Sequence, residues 1–165
     1  AVAAPAGAGA WGKRWHAPAG RGDPRNPGGA TAAKSVEGGI SYMEWSYVTQ
    51  NKLGLAKIDN GSGPVELTSA SVGKMIETAT QKGTGNDLSL TLDYATKTPG
   101  AYPINLVTYE IVCSKYKDAA KGKLVKSFLT HFVSADVQKS LEALGYAALP
   151  SSVSAKITAA VAAIG

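Results

Sequence analysis

The residues able to do chemistry are few and badly placed for it. Two histidines, His16 and His131, and one cysteine, Cys113, occur among 165 residues. His16 lies in a stretch of Ala, Gly, Pro and Arg, whereas His131 falls beside the apolar stripe of an expected helix, where packing is the simplest role. Histidines in such different settings do not supply zinc-ligand spacing. A hydrolase would need a nucleophile, a base and an orienting group, and there is no Gly-x-Ser-x-Gly elbow. Asp87 and Asp93 flank an expected strand and Asp118 stands where it would cap a helix, so no carboxylate pair has acid–base spacing. Cys113 closes the apolar run Ile104–Cys113 and reads as a small buried hydrophobe. A reactive thiol would need a basic, partly exposed setting, for which only Lys115 is near. A single cysteine also excludes an internal disulfide or a multi-cysteine metal site. The expectation is therefore no enzyme: no catalytic residue, no metal ligand and no cofactor.

Three weaker features invite a binding function. Lys82-Gly-Thr-Gly-Asn86 looks faintly like a phosphate cradle, but a P-loop leads into a helix N-terminus, and these glycines are expected to end a helix instead. Tyr42, Trp45 and Tyr47 could stack on a base or a sugar, yet at a strand-to-helix junction they read as core. Arg21-Gly-Asp23 and Gly20-Arg-Gly22 are single short matches of a kind common by chance.

The elements that would carry these residues are punctuated clearly from Gly29 onward. Ile40–Met43 is expected as a strand and Glu44–Leu53 as a helix closed by Gly54. Leu55–Ile58 is a second extended piece, Asn60-Gly61 a turn, and Pro64–Leu67 a strand or a loop. Thr68 should cap a helix running to about Lys82 and stopped by Gly83, with Val72, Met75, Ile76 and Ala79 at helical spacing. Leu88–Leu92 alternates as a half-buried strand does. Ile104–Cys113 is apolar on both faces and predicts a central strand of an α/β sheet. Asp118 to Val133 predicts a helix with Leu124, Val125, Phe128 and Phe132 inward, followed by a helix over Asp136–Leu144. A last helix, capped by Ser151 or Ser152, places Val153, Ile157, Val161 and Ile164 on one face. Strands alternating with helices make the fold class α/β.

Composition divides the chain in two. Hydrophobic content of 44% and charged content of 18% fit a globular protein, and no apolar run approaches the ~20 residues that span a bilayer. The first 28 residues hold all three arginines and consist mainly of Ala, Gly, Pro and Arg, so residues 1–28 read as a low-complexity flexible tail of divergent or out-of-frame origin. Of the net +5, the tail carries +3, from four cations against Asp23. The remaining 13 lysines against 11 acids leave +2, which gives no basic face and no expectation of a nucleic-acid partner. The chain starts at Ala1, shows no signal peptide and reads as processed or truncated.

The segment Ser35-Val-Glu-Gly-Gly-Ile-Ser-Tyr-Met-Glu-Trp-Ser46 resembles the Gly-x-Ile-Gly-Tyr-x-Glu-Tyr-x-Tyr segment of bacterial phosphate-binding proteins, nearest to those of mycobacteria. Ala101-Tyr-Pro-Ile-Asn-Leu-Val-Thr-Tyr-Glu110 and Gly145-Tyr-Ala-Ala-Leu-Pro150 fit the same family in the same order, over roughly Gly29 to Gly165. The resemblance implies a type II periplasmic-binding-protein fold of two lobes that close on phosphate by a hinge. This chain would be its C-terminal part, lacking most of the first lobe. Residues 29–98 would end the second lobe, and 99–165 would hold the return crossing and the C-terminal part of the first lobe. The implied partners are inorganic phosphate and the membrane permease of an ABC phosphate importer. The implied location is periplasmic or cell-surface, often with a lipid anchor. The family holds phosphate with an Arg-Ser-Asp-x-Ser-Gly-Thr-type segment and with first-lobe loops. Arg21-Gly-Asp-Pro-Arg25 lacks the serines and the Gly-Thr step, so no ligand-binding residue is carried over. Without the first lobe, the strand Ile104–Cys113 would have open edges, and the isolated chain is expected to be marginal or self-associating.

Overall fold

The computed structural model describes residues 25–165. The flexible-tail expectation for residues 1–24, including Trp11, Trp15, His16 and Arg21-Gly-Asp23, falls outside the described residues. The chain divides into two compact units at Gly54, and each is described separately.

In the first unit, α1 spans Arg25–Ser35 and α2 spans Trp45–Asn51. Arg25–Gly28 therefore open a helix instead of ending a tail. The helix crosses Gly28-Gly29 and buries Ala30. The expected strand over Ile40–Met43 is not formed; Ile40 is 81% exposed, and nothing pairs with it among the described residues. Helix α2 arrives as expected but is closed by Lys52 and not by Gly54. Lys52 adopts φ 54°, ψ 42°, and its N–H donates to Thr49 O and Val48 O. A left-handed lysine there carries a small strain that glycine would avoid.

In the second unit, β1 (Ile58–Asp59) and β2 (Pro64–Val65) pair antiparallel, Ile58 opposite Val65. The turn between them is held by Asp59 Oδ1, which accepts from Gly61 N at 2.8 Å and Gly63 N at 3.1 Å. Helix α3 spans Ser69–Glu77. It stops short of Lys82 because the chain turns extended at once: β3 (Thr80–Gln81) pairs antiparallel with β4 (Leu90–Thr91). Met75 of α3 is completely buried, and Val65, Ala101 and Tyr102 are also buried. Backbone bonds tie this region together, Tyr102 N donating to Ser71 O at 3.0 Å.

Helix α4 spans Ala119–Phe132, α5 spans Ala135–Leu141 with a short 3-10 turn over Glu142–Leu144, and α6 spans Ser151–Ala162. Asp118 caps α4 through Ala120 N and Lys121 N. At α6 the expected serine cap is replaced by Pro150, without a side-chain bond. The core here is Leu129 against Val161 and Ile164, edged by Tyr116, Val125 and Ile157. Burying each large aliphatic group of that kind contributes ~1.5–3 kcal/mol. The face of α4 differs from the expectation: Leu129 and Val125 pack, whereas Leu124 (71% exposed), Phe128 (59%) and Phe132 face solvent. Helix α6 is narrow and alanine-rich, and it covers only one side of α4.

The largest departure is Ile104–Cys113. It is not a strand, and among the described residues no backbone group from 104 to 112 makes a hydrogen bond. Leu106 is 83% exposed, Ile111 is 95% exposed, and Cys113 is exposed rather than buried. A segment apolar on both faces needs strands on both edges and helices above and below. The described residues supply none of these. Among the described residues, helices and two short antiparallel strand pairs thus make a mixed helix-and-strand chain, without the larger sheet in which Ile104–Cys113 was expected as a central strand.

Candidate functional site

The features singled out in sequence are dispersed. His131 lies exposed near the end of α4 and Cys113 lies exposed beyond the apolar segment. No group of three His, Cys, Asp or Glu that could hold a metal occurs among the described residues. Of the aromatic trio, Tyr42 is 61% exposed, while Trp45 and Tyr47 are half-buried on α2, so Tyr42 is not the core residue expected.

The glycine loop after β3 is a closed hairpin and offers no cradle. Asp87 Oδ1 accepts from Ser89 N at 3.0 Å, and Gln81 Nε2 donates to the carbonyls of Asp87 (3.0 Å) and Gly83 (3.3 Å). The bond from Ser89 N, first, and then the Ser89 side chain hold the Asp87 carboxyl below its usual range. A Cβ at Gly83 would overlap the Asp87 carboxyl and carbonyl, so the loop closes this tightly only with glycine there. Lys82 N, Gly83 N and Asp87 N also donate within the hairpin, to Ser89 O and Thr84 O.

A second place is an open groove at the start of α3, lined by Lys57, Ser62, Gly63, Glu66, Lys74 and Gly100 among others. A helix N-terminus attracts anions only while its N–H groups are free. Here Thr68 and Ser71 cap each other: Thr68 Oγ1 accepts from Ser71 N at 3.1 Å, and Ser71 Oγ accepts from Thr68 N at 2.9 Å. Ser71 Oγ also donates to Glu66 O at 2.6 Å. Lys57 pairs with Glu66 at 2.6 Å, and that bond holds the Glu66 carboxyl below its ordinary value. With a carboxylate in the groove and its nearest lysine already paired, the place is a capped helix start. Tyr102 beneath it is buried, which pushes its phenol up, and its hydroxyl donates to Ala56 O at 3.4 Å.

What remains is a surface. Ile104, Leu106, Tyr109, Ile111 and Val112 are exposed in a segment of extended sequence. Tyr109 Oη accepts from Leu90 N at 2.8 Å, Cys113 N donates to Tyr116 Oη at 3.3 Å, and Asn105 Oδ1 is buried without a donor. On α4, Phe128 and Phe132 stack with ring centroids 6.1 Å apart, in line with exposed Leu124. Exposed large apolar side chains gathered in one segment and along one helix stripe are the kind of surface that interfaces use. Periodicity identified these residues as apolar, but it could not say that their partners are missing.

Comparison with known proteins identifies the fold to which this surface belongs. A family model described as the PBP superfamily domain matches residues 4–136. The chain belongs to the PBP superfamily. It is 43% identical over 164 residues to phosphate-binding protein PstS 3 of Mycobacterium tuberculosis, a match covering 94% of this chain and 44% of that relative. PstS 3 of Mycobacterium leprae is 43% identical over 157 residues, covering 93% and 42%. The phosphate-binding protein PstS of Xylella fastidiosa is 28% identical over 142 residues, covering 86% and 38%. The chain thus spans less than half the length of these curated relatives. The matched span opens at residue 4, so the likeness extends ahead of Gly29, where the sequence motifs placed its start.

Proposed function

We propose that this chain is the C-terminal part of the phosphate-binding receptor of an ABC phosphate importer, and that it works at the periplasmic or cell surface. The observation that carries the reading is the 43% identity to mycobacterial PstS 3 across 94% of the chain. In this reading residues 29–98 end the second lobe and 99–165 complete the first. The match from residue 4 supports counting the residues before 29 as family sequence too. The groove holds the Glu66 carboxylate beside a capped helix start, and in this reading the phosphate contacts come from parts of the family fold outside this chain.

A calorimetric titration with phosphate, with sulfate as the control, tests both halves of the reading. The isolated chain should give no saturable heat. The same chain joined to the part of M. tuberculosis PstS 3 that it does not match should bind phosphate selectively. Selective binding by the isolated chain would overturn the assignment of the contacts elsewhere, and a folded joined chain indifferent to phosphate would overturn the receptor reading. The exposed segment Ile104–Cys113 favours a second role for the isolated chain, as a non-catalytic interaction fragment with no phosphate binding of its own.

A further inference from the structure

We propose that the Asn60-Gly61 turn is a self-modifying site, whose asparagine the folded hairpin holds unreactive and whose opening converts it irreversibly to aspartate or isoaspartate. The site needs only water as co-reactant, and it is independent of phosphate and of the rest of the family fold.

This is the one Asn-Gly pair in the chain. The turn between β1 and β2 imposes the glycine, because position 61 stands at φ 96°, a conformation that residues with side chains rarely adopt. Glycine there also leaves the nitrogen that follows the asparagine unhindered. In an opened turn Gly61 N, having lost its proton to solvent, attacks Asn60 Cγ. The N–Cγ bond forms, the Cγ–Nδ2 bond breaks, and the amide nitrogen leaves as ammonia after taking a proton from water. Water then opens the five-membered imide at either of its carbonyls. The net change is one water gained and one ammonia lost, with nothing oxidised or reduced.

The folded turn blocks this route at both reacting groups. An asparagine amide has two N–H donors and two acceptor lone pairs. Here all four are engaged: Nδ2 donates to Thr98 O at 3.3 Å and to Ala101 O at 3.4 Å, and Oδ1 accepts from Ser62 N at 3.2 Å and Ser62 Oγ at 2.6 Å. The nucleophile is occupied as well, since Gly61 N donates to Asp59 Oδ1 at 2.8 Å. A proton shared with a carboxylate is harder to remove, because the bond favours the protonated nitrogen. Turning the Asn60 side chain toward Gly61 N would break its four bonds together.

The same bonds make the change one-way. Through Asn60 the turn is tied to carbonyls 38 and 41 residues further along the chain. Those carbonyls need a donor. A carboxylate in that seat brings acceptors alone and leaves both unsatisfied, and an isoaspartate also lengthens the main chain by a methylene.

The test incubates the chain at mildly alkaline pH, at a concentration where sedimentation shows monomer, in buffer and in urea. Mass spectrometry and isoaspartate labelling follow each asparagine. In urea Asn60 should convert well before Asn51, Asn86 and Asn105. A group that reacts only when open converts at the open-chain rate multiplied by the fraction open, so the folded chain should convert Asn60 at least about tenfold more slowly. Ser62→Ala removes the 2.6 Å bond and should speed conversion of the folded chain at least about threefold, with the rate in urea unchanged. The converted chain, separated from its parent, should unfold at lower urea. Equal rates in urea and in buffer, from a sample with native circular dichroism, overturn the proposal. So do an Asn60 no faster in urea than the other asparagines, a Ser62→Ala chain no faster than its parent, and a converted chain as stable as the original.

Discussion

The sharpest consequence of this architecture is a contrast between two apolar side chains of similar size. Met75 is fully buried on α3, whereas Leu106 is 83% exposed. Removing a buried Met side chain to Ala costs ~2–5 kcal/mol through lost transfer energy and the cavity left behind. For a chain of this length ~1 kcal/mol moves the midpoint of thermal unfolding by ~2–4 °C, so Met75→Ala should lower it by roughly 4–20 °C. Met75→Leu, which keeps the volume, should cost under ~1.5 kcal/mol. Leu106→Ala should stay within ~0.5 kcal/mol, a shift of at most about 2 °C, because nothing in the isolated chain packs on it. The assay is circular dichroism during heating, at a concentration where sedimentation shows monomer. Should Leu106→Ala destabilise the isolated chain as much as Met75→Ala does, the segment from 104 to 112 is packed in solution. The account of an unpartnered strand would then be refuted.

Three further outcomes are expected. Thr68→Ala removes half of the reciprocal cap on α3 and should cost ~1 kcal/mol, read as a lower midpoint in urea with unchanged slope. The Asp87 carboxyl is held below its ordinary value in the folded hairpin, so the unfolded chain binds its proton more readily. Its contribution is therefore complete above the ordinary carboxylate pKa and is lost as pH falls through the lower folded value. Asp87→Asn should flatten that acid limb, and an unchanged limb would remove Asp87 from the account. Cys113, exposed on the bare segment, should react with a disulfide reagent in the native chain nearly as fast as in denaturant, and slow modification would mean that the segment is covered.

Local signals were legible wherever the deciding interaction lies close in sequence. The cap at Thr68, the cap at Asp118, the turn at Asn60-Gly61 and the stop at Gly145 all depend on contacts within a few residues. The stripe Ile157, Val161 and Ile164 was readable because α6 has one apolar face to bury. Central-strand character in Ile104–Cys113 was readable as composition, but a strand exists only in a ladder, and its neighbours are not among the described residues. The same reason turned Leu124, Phe128 and Phe132 outward: their spacing marks an apolar stripe without saying which neighbour covers it. Helix α3 ended early because Thr80-Gln81 found a pairing with Leu90-Thr91, a contact that helical periodicity cannot weigh.

The bare stretch from 104 to 112 also bears on the lifetime of the chain. Proteases bind their substrates extended, with backbone groups free to pair along the cleft, and few segments of a folded chain meet that requirement. This one does, and it offers Leu106 and Tyr109 to enzymes that cut after large apolar or aromatic residues. A single cut there would separate the α3 region from the α4–α6 region. A copy cut in this way would be removed by further degradation before it could accumulate.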